Sequence, residues 1–131
     1  MIFRVDYTDE DNYFLFVGDY AKNISEYTNG LQPEIGDKLV GVNGKSFDVY
    51  FDELRPYVRY STIKGLWKTV AADIGARNYH YPHSMDTDKI EFELERQDGE
   101  IYSLTLPYLE PDEIPWLDTY KSHGENRYKG F

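Results

Sequence analysis

The segment "KIEFELERQDGEIYSLTLP" (89–107) leaves this chain the least conformational freedom. Ile90, Phe92 and Leu94 alternate with Glu91, Glu93 and Glu95, the period of a strand with one buried and one solvated face. Tyr102, Leu104 and Leu106 repeat that period after a Gly-containing break. A two-residue Asp-Gly loop would oppose Leu94 to Ser103 and mismatch the apolar faces. A loop of Gln97, Asp98 and Gly99 instead opposes Leu94 to Tyr102, Phe92 to Leu104 and Ile90 to Leu106. Because a one-residue slip turns every side chain to the wrong face, the longer loop is predicted, with Gly99 left-handed.

The rest of the chain supplies further strands. "IFRVDY" (2–7) places Phe3, Val5 and Tyr7 on one face, and "YFLFV" (13–17) is an almost continuous apolar run. A short helix is expected around Ile24 to Tyr27. Gly30 and Pro33 then punctuate a loop, and Gly36-Asp37 turns the chain into the strand "KLVGVN". Asn43-Gly44 predicts a tight turn, since both residues tolerate positive φ. Ser46 and Asp48 offer caps for a helix over about 49–55, which Pro56 should end or kink. A second helix is predicted from an N-cap at Ser61, with Ile63, Leu66, Trp67, Val70 and Ile74 on one face and Gly75 as its C-terminal glycine. "ARNYHYPHSMDTD" reads as an irregular connection, and 108–131 as a proline-interrupted linker or tail.

Composition narrows the partners. A chain of 131 residues is the size of one ordinary domain, and a formal net charge of -10 argues against nucleic acid and anionic membrane surfaces. No apolar run approaches the ~18 residues needed to cross a bilayer, and the acidic residues soon after "MIFRV" do not read as a signal peptide. Without cysteine, disulfides and thiol chemistry are excluded. The thirteen tyrosines and two tryptophans either thicken a small core or mark a recognition surface.

Catalytic chemistry finds little purchase. None of the six serines lies on a glycine-flanked elbow, and His80, His83 and His123 fall in irregular segments. "DEDN" (9–12) lacks the ligand spacing and central glycine of a calcium loop. Glu91, Glu93 and Glu95 read as the solvated side of a strand rather than a carboxylate pair across a cleft. The glycines of "VGVNGK" form turns, with no helix N-terminus placed to cradle a phosphate. No catalytic residue, metal or cofactor is therefore expected, which leaves binding.

"GLQPEIGDKLVGVNGKSF" (30–47) and the closing hairpin together resemble a PDZ domain. The resemblance rests on Gly30, Leu31, Gly36, Asp37, Leu39, Val42, Asn43 and Gly44. The strand order is similar to the circularly permuted bacterial form. "YFDELRPYV", "TIKGLWKTVAADI", "LERQDGEIYSLTLP" and "IPW" (114–116) further resemble the C-terminal processing (tail-specific) serine peptidases, including relatives of the chlamydial protease-like activity factor. The resemblance implies an α+β, PDZ-like fold: a small antiparallel sheet or partly open barrel with two to three helices. It would cover residues 1–107, with a helical insertion at about 61–76, and 108–131 would lead toward a catalytic domain of the same parent chain. The peptidase's nucleophile would lie outside this chain, and the module would position or gate substrate, in an extracytoplasmic or secreted setting. Its partner would be a peptide or protein segment, added to strand 2–7 beside helix 49–55, with Phe3, Val5, Tyr50, Leu54 and Tyr57 as groove candidates. Two departures stand out. The family's carboxylate-binding Gly-apolar-Gly-apolar run would precede Ile2, and segment 18–30 is longer than the family's short helix. Two other readings are a stand-alone interaction module using the same groove and a small enzyme built on His80.

Overall fold

The computed structural model describes residues 1–74 and 88–107. The predicted tail, Gly75, His80, His83, His123 and "IPW" lie outside them. The described chain is α+β: an antiparallel sheet in the order β1-β2-β3-β5-β6, with β4 paired to β3, and two α-helices.

β1 (Ile2–Asp6) and β2 (Phe14–Asp19) form the first hairpin, joined through the "DEDN" turn. There the Asp9 carboxylate accepts from the Asp11 N–H (3.0 Å) and the Asn12 side chain (3.1 Å), so its oxygens serve the turn. β2 continues to Asp19, beyond the predicted end at Val17. Gly18 serves a close approach: a Cβ there would come within 2.7 Å of the Arg4 side chain, which lies flat across it. The expected short helix is a single 3-10 turn, Ile24–Glu26, which buries Ile24.

β3 (Lys38–Val42) turns through Asn43 (φ 52°) and Gly44 (φ 81°) into β4 (Lys45–Ser46). Two successive left-handed residues make the tight turn that the Asn-Gly pair predicts. α1 (Phe47–Leu54) follows at once, starting two residues before its predicted position. Ser46 is the cap; its hydroxyl accepts from the Val49 N–H at 3.4 Å, and Asp48 lies in the first turn. Pro56 sits in a 3-10 turn, Arg55–Tyr57, that closes the segment. α2 (Ile63–Asp73) is capped by Thr62 rather than Ser61, because the Thr62 hydroxyl reaches the Gly65 N–H at 3.0 Å. Its buried face carries Leu66, Val70 and Ala71, with Ile74 just beyond, whereas Ile63 stays half exposed. Ile63 belongs to the first turn, where the helix has not yet reached the core.

β5 (Lys89–Glu95) and β6 (Ile101–Pro107) pair in the predicted register, Leu94 with Tyr102, Phe92 with Leu104 and Ile90 with Leu106. Gly99 has φ 92°, and its N–H donates to the Arg96 carbonyl at 2.9 Å, closing the three-residue loop. The six hairpin side chains predicted to face inward are buried, in one core with Phe3, Leu15, Val17, Leu39, Leu54, Leu66 and Val70.

Candidate functional site

The Gly36-Asp37 pair is a structural joint. Asp37, 1% exposed, stands at the entry to β3 and accepts from the Glu34 N–H at 3.0 Å. The same carboxylate oxygen accepts the Tyr102 hydroxyl and lies 3.5 Å from the Arg96 guanidinium, which stacks on the Tyr102 ring 4.1 Å from its centroid. A buried charge is tolerated only when paired and hydrogen-bonded. The β5–β6 hairpin supplies the ion pair and the hydroxyl to Oδ2, while Oδ1 is buried without a hydrogen-bond partner among the described residues. Burial and the bond to Asp37 push the Tyr102 hydroxyl far above its ordinary range. Gly30 (φ 86°) and Gly36 (φ 98°) supply the left-handed corners of the loop, and Leu31 is exposed at its crest.

Of the groove candidates, Phe3 (4% exposed), Tyr50 (5%) and Leu54 (1%) are core residues, and Val5 is half-buried against that core. Only Tyr57 is well exposed, at 52%, in the turn after α1. The helix with the main contact to β1 is not the one that sequence order paired with it. α1 packs on β3 and β4, while α2 lies against β1. The reason is the apolar face of α2, which needs a sheet surface to cover it and finds one at β1.

A chain of aromatic contacts runs along this junction. Tyr7 meets Tyr13 edge to face (5.0 Å), Tyr13 meets Trp67 of α2 (5.9 Å), and Trp67 lies against Phe51 (4.5 Å) and Phe47 (5.7 Å) of α1. The Tyr7 hydroxyl donates to the Lys64 carbonyl at 3.3 Å, and the Lys64 ammonium lies 5.9 Å from the Tyr7 ring. Burial, and then Tyr13, raise the Tyr7 hydroxyl above its usual range. Tyr7, Lys64 and Trp67 were not among the groove candidates. The signal available for them was the eleven-residue amphipathic length of α2 against the eight of α1.

β1 nevertheless presents main-chain groups. Val17 turns its N–H and C=O toward the loop before β3, donating to the Asp37 carbonyl (2.9 Å) and accepting from Gly36 (2.8 Å). Opposite Val17, Phe3 must point its own N–H and C=O away from β2, and by alternation so must Val5. No described main-chain group pairs with that outer edge. On the other side of β2, a cavity of about 280 Å³ lies between the start of β2, β3 and the start of α1, lined by Tyr13, Phe14, Lys38, Val40, Ser46 and Phe47, among others. Among the described residues no cluster of three or more His, Asp or Glu is placed to hold a metal, and no helix is long and apolar enough to cross a membrane.

In comparisons with known proteins, no protein-family model matches the sequence and no curated protein is similar to it.

Proposed function

We propose that this chain is a PDZ-like binding module that takes up an extended peptide or protein segment by strand addition at the outer edge of β1. The carrying observation is that edge: Phe3 and Val5 direct their main-chain groups outward from the last strand of the sheet, with α2 alongside. Phe3 and Val5 thus act through their backbone, while their side chains hold the core. Main-chain pairing supplies sequence-tolerant affinity, and flanking pockets supply specificity. In this reading the module positions or gates substrate for a C-terminal-processing-type serine peptidase, the nucleophile and catalytic domain belonging to the rest of the parent chain. A stand-alone interaction module would use the same edge. The full reading frame separates the two, since a peptidase requires a further domain with a glycine-flanked serine.

The test is a titration of the chain with peptides carrying Lys or Arg around an apolar centre, followed by amide chemical shifts. Shifts at residues 2–6 and along 63–67 are expected, with a Kd no tighter than roughly 10–100 μM, weakened by salt. Val5→Pro, which removes an outward N–H, should abolish them. Unchanged shifts at residues 2–6 at millimolar peptide would exclude this edge. The chain alone should not label with a serine-reactive fluorophosphonate probe.

A further inference from the structure

Among the described residues the sheet has a second unpaired edge, at β6, and it is built differently from the first. The Arg96 N–H donates to the Glu100 carbonyl at 2.8 Å, which makes 96 and 100 a hydrogen-bonded pair. Bonded and non-bonded pairs alternate along an antiparallel ladder. The pairs Glu95–Ile101, Glu93–Ser103 and Glu91–Thr105 are therefore non-bonded. Ile101, Ser103 and Thr105 consequently aim their N–H and C=O groups away from β5, and no described residue meets them there.

Edge strands are normally blunted by a lysine, a proline, a bulge or an inward charge. β6 has none of these before its last residue, Pro107, and its seven pairs with β5 run without a register shift. The same three residues are exposed on the outer face of the sheet, with Ile101 55% exposed. Directly beyond them, on the same face of β5, stand Glu91, Glu93 and Glu95. A strand added to β6 would lie about 9.6 Å from β5, two strand spacings away. Lys or Arg side chains can span that distance, and Ser103 and Thr105 are short enough to let them pass over β6. Two copies of this chain paired edge to edge would instead bring two glutamate rows together, on molecules of net charge -10.

The geometry points to the outer edge of β6 as a second docking site, for an extended protein segment with Lys or Arg at alternate positions. The added strand pairs with the main chain of Ile101, Ser103 and Thr105, and its basic side chains cross β6 to the glutamates of β5.

The probes are the peptides acetyl-KTKTKTK-amide and acetyl-ETETETE-amide, titrated into the whole chain with amide shifts and hydrogen exchange as readouts. The basic peptide should shift residues 101–107 and slow exchange at Ile101, Ser103 and Thr105, and the acidic one should do neither. Ser103→Pro removes one outward N–H and leaves the β5 ladder intact, so it should keep the wild-type circular dichroism and weaken binding about tenfold or more. Should that variant unfold, Glu91→Gln/Glu93→Gln carries the test: it should bind the basic peptide more weakly, with a flatter dependence on salt between about 0.05 and about 0.3 M. Equal binding of both peptides, shifts confined to residues 2–6, or undiminished affinity in the folded Ser103→Pro or the double glutamine variant would overturn the proposal. So would concentration-dependent dimerisation of the free chain through residues 101–107, which would make a second copy the occupant.

Discussion

The Tyr102 hydroxyl donates to the Asp37 carboxylate across a sequence separation of 65 residues. This bond joins the loop that opens β3 to the hairpin that closes the sheet, and Arg96 from the same hairpin completes it. Tyr102→Phe should lower the unfolding free energy by about 1–3 kcal/mol, because a charged, buried acceptor loses a donor. Asp37→Ala should cost more, since it removes the acceptor of both the Tyr102 hydroxyl and the Glu34 N–H, and one of the partners of the Arg96 guanidinium. Urea denaturation of the three proteins measures this; equal midpoints would show that the joint is dispensable.

Alkaline pH should probe the same bond with a definite sign. The Tyr102 proton is held far above the ordinary tyrosine pKa near 10 in the folded chain. Its contribution is therefore fully present below about pH 10 and is lost as pH rises beyond it, because the unfolded chain then releases a proton the folded one retains. Between pH 9 and pH 11 the wild type should lose more stability than Tyr102→Phe. Parallel pH profiles for the two would contradict this.

Gly99 occupies φ 92°, with nothing within 4 Å of the position a Cβ would take. Substitution there is consequently a test of backbone strain alone. Gly99→Val should destabilise by about 1–3 kcal/mol, with the Leu94–Tyr102 and Phe92–Leu104 cross-strand contacts retained in nuclear Overhauser spectra. An unchanged melting temperature would remove the strain account.

The start of α2 offers a paired control. Thr62→Ala should cost about 1 kcal/mol by freeing the Gly65 N–H, whereas Ser61→Ala should be close to neutral. The reverse order in thermal unfolding would return the cap to Ser61.

Trp67 bridges α2 to Phe47 and Phe51 of α1 and to Tyr13 near the start of β2. Trp67→Ala should cost about 3 kcal/mol and abolish much of the near-ultraviolet circular dichroism. A small loss of stability with the aromatic signal intact would mean that the two helices are held together elsewhere.

The strands, the hairpin register and the Asn43–Gly44 and Gly99 turns were legible in the residues themselves. Period-two alternation and positive-φ residues are local signals, and a wrong register would put Leu94 or Leu104 in water. The sequence also marked Gly36-Asp37 as a turn, but not that Asp37 would be buried, since its partners Arg96 and Tyr102 come from the far hairpin. Which helix flanks β1 was equally out of reach. Periodicity says that α1 and α2 each have an apolar face, and chain order suggested α1. Packing decided otherwise: Leu66 and Val70 of α2 and Tyr50 and Leu54 of α1 all enter one core, and it is α2 that lies against β1. The sequence thus determined the elements and their registers, and tertiary packing determined which side chains remained exposed. Burial depends on every element at once, and no local pattern encodes that.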